Sequence, residues 1–211
     1  MTKKEKALIV IDALKKRYPD AKCSLVASAP HELLIATRLS AQCTDARVNI
    51  VTEELFNKYR SINDFADADI ADIENIIHSC GLYKTKAKDV VMMCRQLRDN
   101  FGGVVPDSID KLTSLSGIGR KTANLIMGDV YGQPAVVADT HLIRISGRLG
   151  FVDTKDPYKV ELAMKKILPP EESNNYCHRM VQFGRDVCKA QNPDCKNCEL
   201  YEVCKSKGKK K

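Results

Sequence analysis

Apolar residues in this chain return every three or four positions and almost never every second one. That repeat lines one face of a helix, whereas a half-buried strand needs strict alternation. In "TDARVNIVTEELFNKY" the apolar set is Val48, Val51, Leu55, Phe56 and Tyr59, behind Thr44 as N-cap. "DIADIENIIHSCG" and "KAKDVVMMCRQLRDNFGG" repeat the pattern and stop on glycine, the usual helix end. "DPYKVELAMKKILPP" opens with Asp156 as cap and Pro157 at the first helical position, and "SNNYCHRMVQFGRDVC" runs into a cysteine-rich end. About ten helices joined by short loops account for the chain. "AVVA", residues 135–138, is too short to found a sheet. The expected fold class is all-α, held by helix packing.

With 211 residues the chain suffices for one large domain or two small lobes. No apolar run approaches the ~20 residues that span a bilayer. The opening "MTKKEKALIVIDALKKRYPD" has its apolar stretch, Ala7 to Ile11, halted by Asp12, and it carries no cleavage-site pattern. It reads as an amphipathic helix, so the expected location is cytoplasmic, with no membrane partner. The net charge is +7, and five lysines crowd the final "KSKGKKK". A polyanion would exploit such a balance, and solubility alone also explains it.

The nine cysteines divide into two kinds. Cys23, Cys43, Cys80, Cys94 and Cys177 are scattered and read as small apolar residues. Cys188, Cys195, Cys198 and Cys204 fall in one polar segment, "CKAQNPDCKNCELYEVC", with spacing C-x6-C-x2-C-x5-C. Nothing points to the oxidising compartment that disulfides need. Four thiolates suit a structural zinc or a four-iron cluster, and spacing alone leaves both open. Either would order a loop, because four protein ligands leave no open coordination position. A colourless protein would mean zinc and a brown one iron–sulfur.

"DSIDKLTSLSGIGRKTANLIMGDVYG" reads as helix, G-x-G hairpin, helix. Bare backbone N–H groups at Gly117 and Gly119 can grip a nucleic-acid phosphate; a plain interhelical turn is the commoner use of such a pattern. Arg120 and Lys121 then stand where a helix start behaves as about half a positive charge, the wrong place for cations. A neutral lysine amine is a nucleophile that forms Schiff bases with carbonyl carbons, which would give Lys121 a chemical use. The alternative is an ordinary surface lysine on a phosphate. Downstream, Asp139 in "VVADTH" is placed to cap the helix "THLIRISGRLG". The helix after the hairpin rises ~17 Å, and residues 132–138 can span up to ~23 Å. The chain is thus long enough to bring Asp139 back to the level of Lys121, where a carboxylate could move a proton or stabilise positive charge.

Taken together, "LSGIGRKTAN", "VADTH", "LSAQCTD", "CGLYKTKA" and the cysteine spacing resemble the endonuclease III family of helix-hairpin-helix DNA glycosylases and abasic-site lyases. The likeness runs in order over nearly the whole chain. It implies two helical lobes with the DNA in a cleft between them: residues 1–22 joining the cluster lobe, 23–133 with the hairpin, 134–204 with a [4Fe–4S] loop at 188–204, and a basic tail at 205–211. It implies Lys121 and Asp139 as catalytic residues and Cys188, Cys195, Cys198 and Cys204 as cluster ligands. It further implies Gln42 and Leu82 as residues that fill and wedge the duplex, with Gly117, Gly119, Arg120 and Lys189 also contacting DNA. The expected activity is excision of oxidised pyrimidines from damaged double-stranded DNA by a monomer, followed by β-elimination through a lysine Schiff base.

One departure stands out: between Cys188 and Cys195 the only cation is Lys189, and Asp194 is acidic. The lysine-rich tail is expected to make up the phosphate contacts. Two rivals remain at this stage. A mismatch-specific glycosylase of the same superfamily is disfavoured by Lys121, and its adenine-specific branch by a chain ending just after the cysteines. A non-catalytic iron–sulfur DNA-binding protein gives no reason for Lys121 and Asp139 together.

Overall fold

The computed structural model describes residues 1–207; the last four positions of the basic tail, 208–211, lie outside the described residues. Among the described residues there are eleven α-helices, two 3-10 turns and no strand. The helices are α1 (Lys3–Arg17), α2 (Pro30–Leu39), α3 (Asp45–Lys58), α4 (Ile62–Ala66), α5 (Ile70–Ile76) and α6 (Tyr83–Phe101). They continue with α7 (Ile109–Thr113), α8 (Arg120–Asp129), α9 (Thr140–Leu149), α10 (Pro157–Lys165) and α11 (Ser173–Asp186). The all-α expectation holds, and "AVVA" forms no strand. No helix among the described residues is long and apolar enough to cross a membrane.

The chain groups into two compact units. An inserted unit, Cys23–Tyr131, holds α2 to α8; a terminal unit combines Met1–Lys22 with the chain from Gly132 onward. The inserted unit is built on one apolar cluster in which Leu34, Leu39, Leu55, Phe65, Ile73, Val90 and Ile126 are fully buried. Each fully buried side chain of this size contributes roughly 1.5–3 kcal/mol. Phe65 sits edge-on to Phe56 at 6.3 Å and tilted against Tyr59 at 5.3 Å between ring centroids.

In the terminal unit α1 packs against α11, burying Ala7, Val10, Ile11 and Leu14, the spacing of one helix face. Two lysines of α1 tie it to the far end of α9. Lys6 Nζ donates to Leu149 O at 2.9 Å and Lys3 Nζ to Phe151 O at 2.8 Å. These carbonyls close a helix, the end that favours cations. Arg179 of α11, nearly buried, donates to Glu172 at 3.2 Å, and Lys15 pairs with the same carboxylate. Those two cations hold the Glu172 carboxyl below the usual range against the opposing effect of burial.

Candidate active site and cluster loop

Seven of the eleven helices begin with a side-chain acceptor that satisfies a leading N–H: Thr2, Thr44, Ser61, Asp69, Ser108, Asp139 and Asp156. Helix α8 does not. Its N-cap is Gly119, with no side-chain cap, and no acidic residue sits in its first turn. Arg120 and Lys121 occupy that turn, and Ala123 N–H makes the first helical bond, to Gly119 O at 3.0 Å. The N–H groups of Lys121 and Thr122, in the first turn, have no acceptor within the helix. Lys121 is exposed and engages no hydrogen bond or ion pair within the inserted unit.

The two hairpin glycines serve different needs. Gly117 has φ +73, in the left-handed region, and a Cβ there would lie 2.5 Å from Arg38 Nε and 2.9 Å from Asp89 Cγ. The fold itself requires glycine at 117. Gly119 has an ordinary extended backbone (φ −97, ψ 172), and a Cβ would meet nothing within 4 Å. Nothing inside the protein requires its bareness, which leaves room for a molecule outside.

The hairpin is braced from below. Arg38 of α2 pairs with Asp89 of α6 through bonds of 2.8 and 2.6 Å to one carboxylate oxygen. The other oxygen accepts from Ser116 Oγ at 2.9 Å, and Gln96 Oε1 accepts from Ser116 N at 2.7 Å. Sequence reading missed this brace. Arg38, Asp89 and Ser116 lie too far apart along the chain to form any local pattern.

Gln42 and Leu82 are both exposed, and both are left-handed, with φ of 55 and 49. Outside glycine, only Asn192 shares that backbone among the described residues. A left-handed Leu is a genuine outlier, and such outliers gather at functional sites. Leu82 also stands as the N-cap of α6 without a capping bond, its side chain 55% exposed.

Asp139 lies in the terminal unit, not in the inserted unit that carries Lys121. It caps α9, with Oδ1 accepting from Leu142 N at 2.7 Å, as the sequence suggested. Its second oxygen has no partner within the unit.

Cys188, Cys195, Cys198 and Cys204 all line one cavity of about 50 Å³, together with Arg148, Pro193 and Tyr201. Among the described residues no three His, Cys, Asp or Glu side chains are drawn into the tight geometry of a single metal ion. Burial pushes the Cys198 thiol up to about 11, with Cys188 and Cys204 close enough to add to the effect.

Two arginines one turn apart on α9 hold the loop's entry. Arg144 donates to Cys188 O at 2.9 Å. Arg148, only 9% exposed, donates to Cys188 Sγ at 3.2 Å, Lys189 O at 2.7 Å and Ala190 O at 3.0 Å. The sequence signal for them is slight, two arginines four apart behind Asp139. Lys189 itself is exposed. Asp194 is turned onto Asn197, whose hydrogen bonds hold its carboxyl below the usual range. Of the tail, Lys205 packs its stem over Gly150 and Lys207 meets Glu202 at 3.3 Å.

Comparison with known proteins bears on this arrangement. Residues 35–170 match the family model of the HhH-GPD superfamily base excision DNA repair protein. Endonuclease III from Synechocystis sp. is 42% identical over 206 residues, covering 97% of this chain and 94% of the relative. Two solved structures, a non-covalent endonuclease III–DNA complex and a trapped endonuclease III–DNA covalent intermediate, each superpose with a TM-score of 0.91 at 45% identity. Both cover 97% of this chain and 96% of their own. The chain thus belongs to the endonuclease III family of helix-hairpin-helix base excision repair proteins, the bifunctional DNA glycosylases and abasic-site lyases.

Proposed function

We propose that Lys121 is the nucleophile and Asp139 its acid–base partner in excising oxidised pyrimidines from damaged duplex DNA. The observation that carries this reading is the start of α8: a helix without a side-chain cap, Gly119 with open space at its N-cap, and exposed Lys121 two residues on. Leading N–H groups there bind one phosphate of the strand whatever its sequence, and Gly119 lets it come close. Arg120 supports that phosphate. Gln42 and Leu82 enter the duplex where the damaged nucleotide has been rotated out, since a stacked base is beyond reach.

The Lys121 amine then bonds to the sugar C1′, and the glycosidic bond breaks with its electron pair going to the departing base. Asp139 takes the proton that the attacking amine loses. Asp139 returns that proton to O4′ as the C1′–O4′ bond opens, which turns the amine adduct into a Schiff base; this acidifies a C2′ proton, whose removal expels the 3′ phosphate by β-elimination and cuts the strand. Damage that weakens pairing lowers the cost of extrusion, which favours lesions over normal pyrimidines.

A [4Fe–4S] cluster fits the four cysteines, because all four line one cavity and offer four thiols with no other ligand type. Cys188, Cys195, Cys198 and Cys204 would hold it, and when bound it supplies a fixed anchor that orders residues 188–204. Arg148 steadies the first ligand by its bond to Cys188 Sγ. Lys189, exposed beside that ligand, meets the phosphate backbone. Lys207 meets Glu202 within the terminal unit, while Lys205 packs only its stem over Gly150 and is exposed, so the lysines of the tail are offered to phosphate together. Removing residues 205–211 should lower the salt slope of DNA binding by about 0.9 for each lysine that meets a phosphate. An unchanged slope discards the tail.

Borohydride reduction on duplex DNA bearing one oxidised pyrimidine tests the central assignment. The wild-type protein should be captured covalently and Lys121→Ala should not. Undiminished capture of the variant would overturn the assignment of Lys121.

A further inference from the structure

The first turn of α6, another uncapped helix of the inserted unit, holds two lysines, and one of them is buried. Lys86 of α6 is 0% exposed. Its Nζ donates to Leu39 O at 2.8 Å and to Cys80 O at 2.9 Å. Leu39 is the last residue of α2, and Cys80 ends the 3-10 turn His78–Cys80. Both carbonyls would otherwise be orphans at a helix end, where partial negative charge collects and a lysine side chain is a favourable cap. Beyond Leu39 the chain reaches Gln42 in three residues; beyond Cys80 it reaches Leu82 in two. The Cys43 and Cys80 side chains also touch, so the two segments meet directly at this point.

Lys86 has no carboxylate facing it. The ionisable groups around it are Cys80 and Cys43, whose influence favours its charge, and Arg38, whose influence opposes it. Burial is the largest effect on the group and lowers its affinity for a proton. A buried cation held only by backbone carbonyls is a costly device for mere stability, since an apolar side chain would fill the same space. It does fix the distance between two backbone ends, which an apolar side chain cannot do.

We infer that Lys86 is a positioning residue for the DNA reaction: by capping α2 and the 3-10 turn at once, it sets the spacing of the two exposed, left-handed residues, Gln42 and Leu82, that fill the duplex. The inference rests on the reading of Gln42 and Leu82 as duplex-inserting residues.

One abasic strand, presented single-stranded and in duplex, tests it in single-turnover incision. Only the duplex has an opposing strand and a gap to fill. Lys86→Met should lower the ratio of duplex to single-strand incision about tenfold, with thermal unfolding still cooperative. Equal loss on both substrates would mark a purely structural role and overturn the proposal. A Gln42→Ala/Leu82→Ala variant should show the same fall in ratio, and adding Lys86→Met to it should change the ratio by less than about twofold, since residues acting together are not additive. If the double variant leaves the ratio intact, the reading of the two residues fails and takes the proposal with it. If the ratio falls there but not in Lys86→Met, Lys86 alone is refuted. Should Lys86→Met not fold, Lys86→Arg decides: it keeps the charge but is forked and longer, so it should part the two segments and lower the ratio, and an unchanged ratio refutes the proposal.

Discussion

The first turns of α6 and α8 are built alike and finished differently. Each helix starts without a side-chain cap, each lacks an acid in its first turn, and each carries lysine there. In α6 two lysines share that turn: Lys84 is exposed, and Lys86 is buried and bonded to two carbonyls at helix ends. In α8 the misplaced cation, Lys121, stands exposed without a partner in its unit. A cation at a helix start is unfavourable by a few tenths of a kcal/mol to about 1 kcal/mol. Lys86 is compensated inside the protein; the α8 lysine is left uncompensated until something outside arrives. On the two proposals above, one lysine shapes the tool and the other is its working end.

The sharpest way to break that contrast is to truncate the exposed lysine. Lys121→Ala removes a surface side chain, so stability should move by no more than about 0.5 kcal/mol, while strand incision should fall at least ~10³-fold. Single-turnover incision beside a melting curve checks this. A large loss of stability in Lys121→Ala would show that the two lysines are not different in kind.

Asp139 extends the comparison to the terminal unit. It combines both functions in one side chain, with Oδ1 committed to capping α9 and the second oxygen left over. Asparagine caps a helix about as well as aspartate but cannot accept a proton at neutral pH. Asp139→Asn should therefore keep the fold and DNA affinity within about twofold while slowing base removal by roughly 10²–10⁴. Equal losses in binding and excision would reduce Asp139 to a cap.

The two first turns also show what a sequence discloses. Lys121 was legible because its partners are its neighbours: the glycine hairpin, Arg120 and the apolar repeat after them stand in one short string. Asp139 and the four cysteines were legible for the same reason. Lys86 was not, because its acceptors are backbone atoms of Leu39 and Cys80, which no side-chain pattern announces. The brace of Arg38, Asp89 and Ser116 escaped likewise, with 51 positions between the first two. Gln42 and Leu82 were named only through family resemblance; neither is a glycine or asparagine, so nothing local predicts a left-handed backbone there. Helices α2 and α4 give little sequence signal, the first because it is buried on most of its faces and shows little periodicity, the second because five residues are too few to show any.

The finest test of the contrast lies within the hairpin, where a methyl group at either glycine separates internal from external need. At 117 the methyl would force a side chain into left-handed backbone and into Arg38 and Asp89, so Gly117→Ala should destabilise the inserted unit by roughly 3 kcal/mol. At 119 the backbone is ordinary and the space is open, so Gly119→Ala should cost at most about 1 kcal/mol, the difference between glycine and alanine as a cap. DNA affinity should rank the other way once only folded protein is counted. Gly119→Ala places its methyl where the phosphate approaches and should weaken binding about tenfold, the loss of a single good contact. A folded Gly119→Ala protein that binds damaged duplex as tightly as the wild type would mean that the open space before α8 is not where the strand docks, and the uncapped helix start would need another explanation.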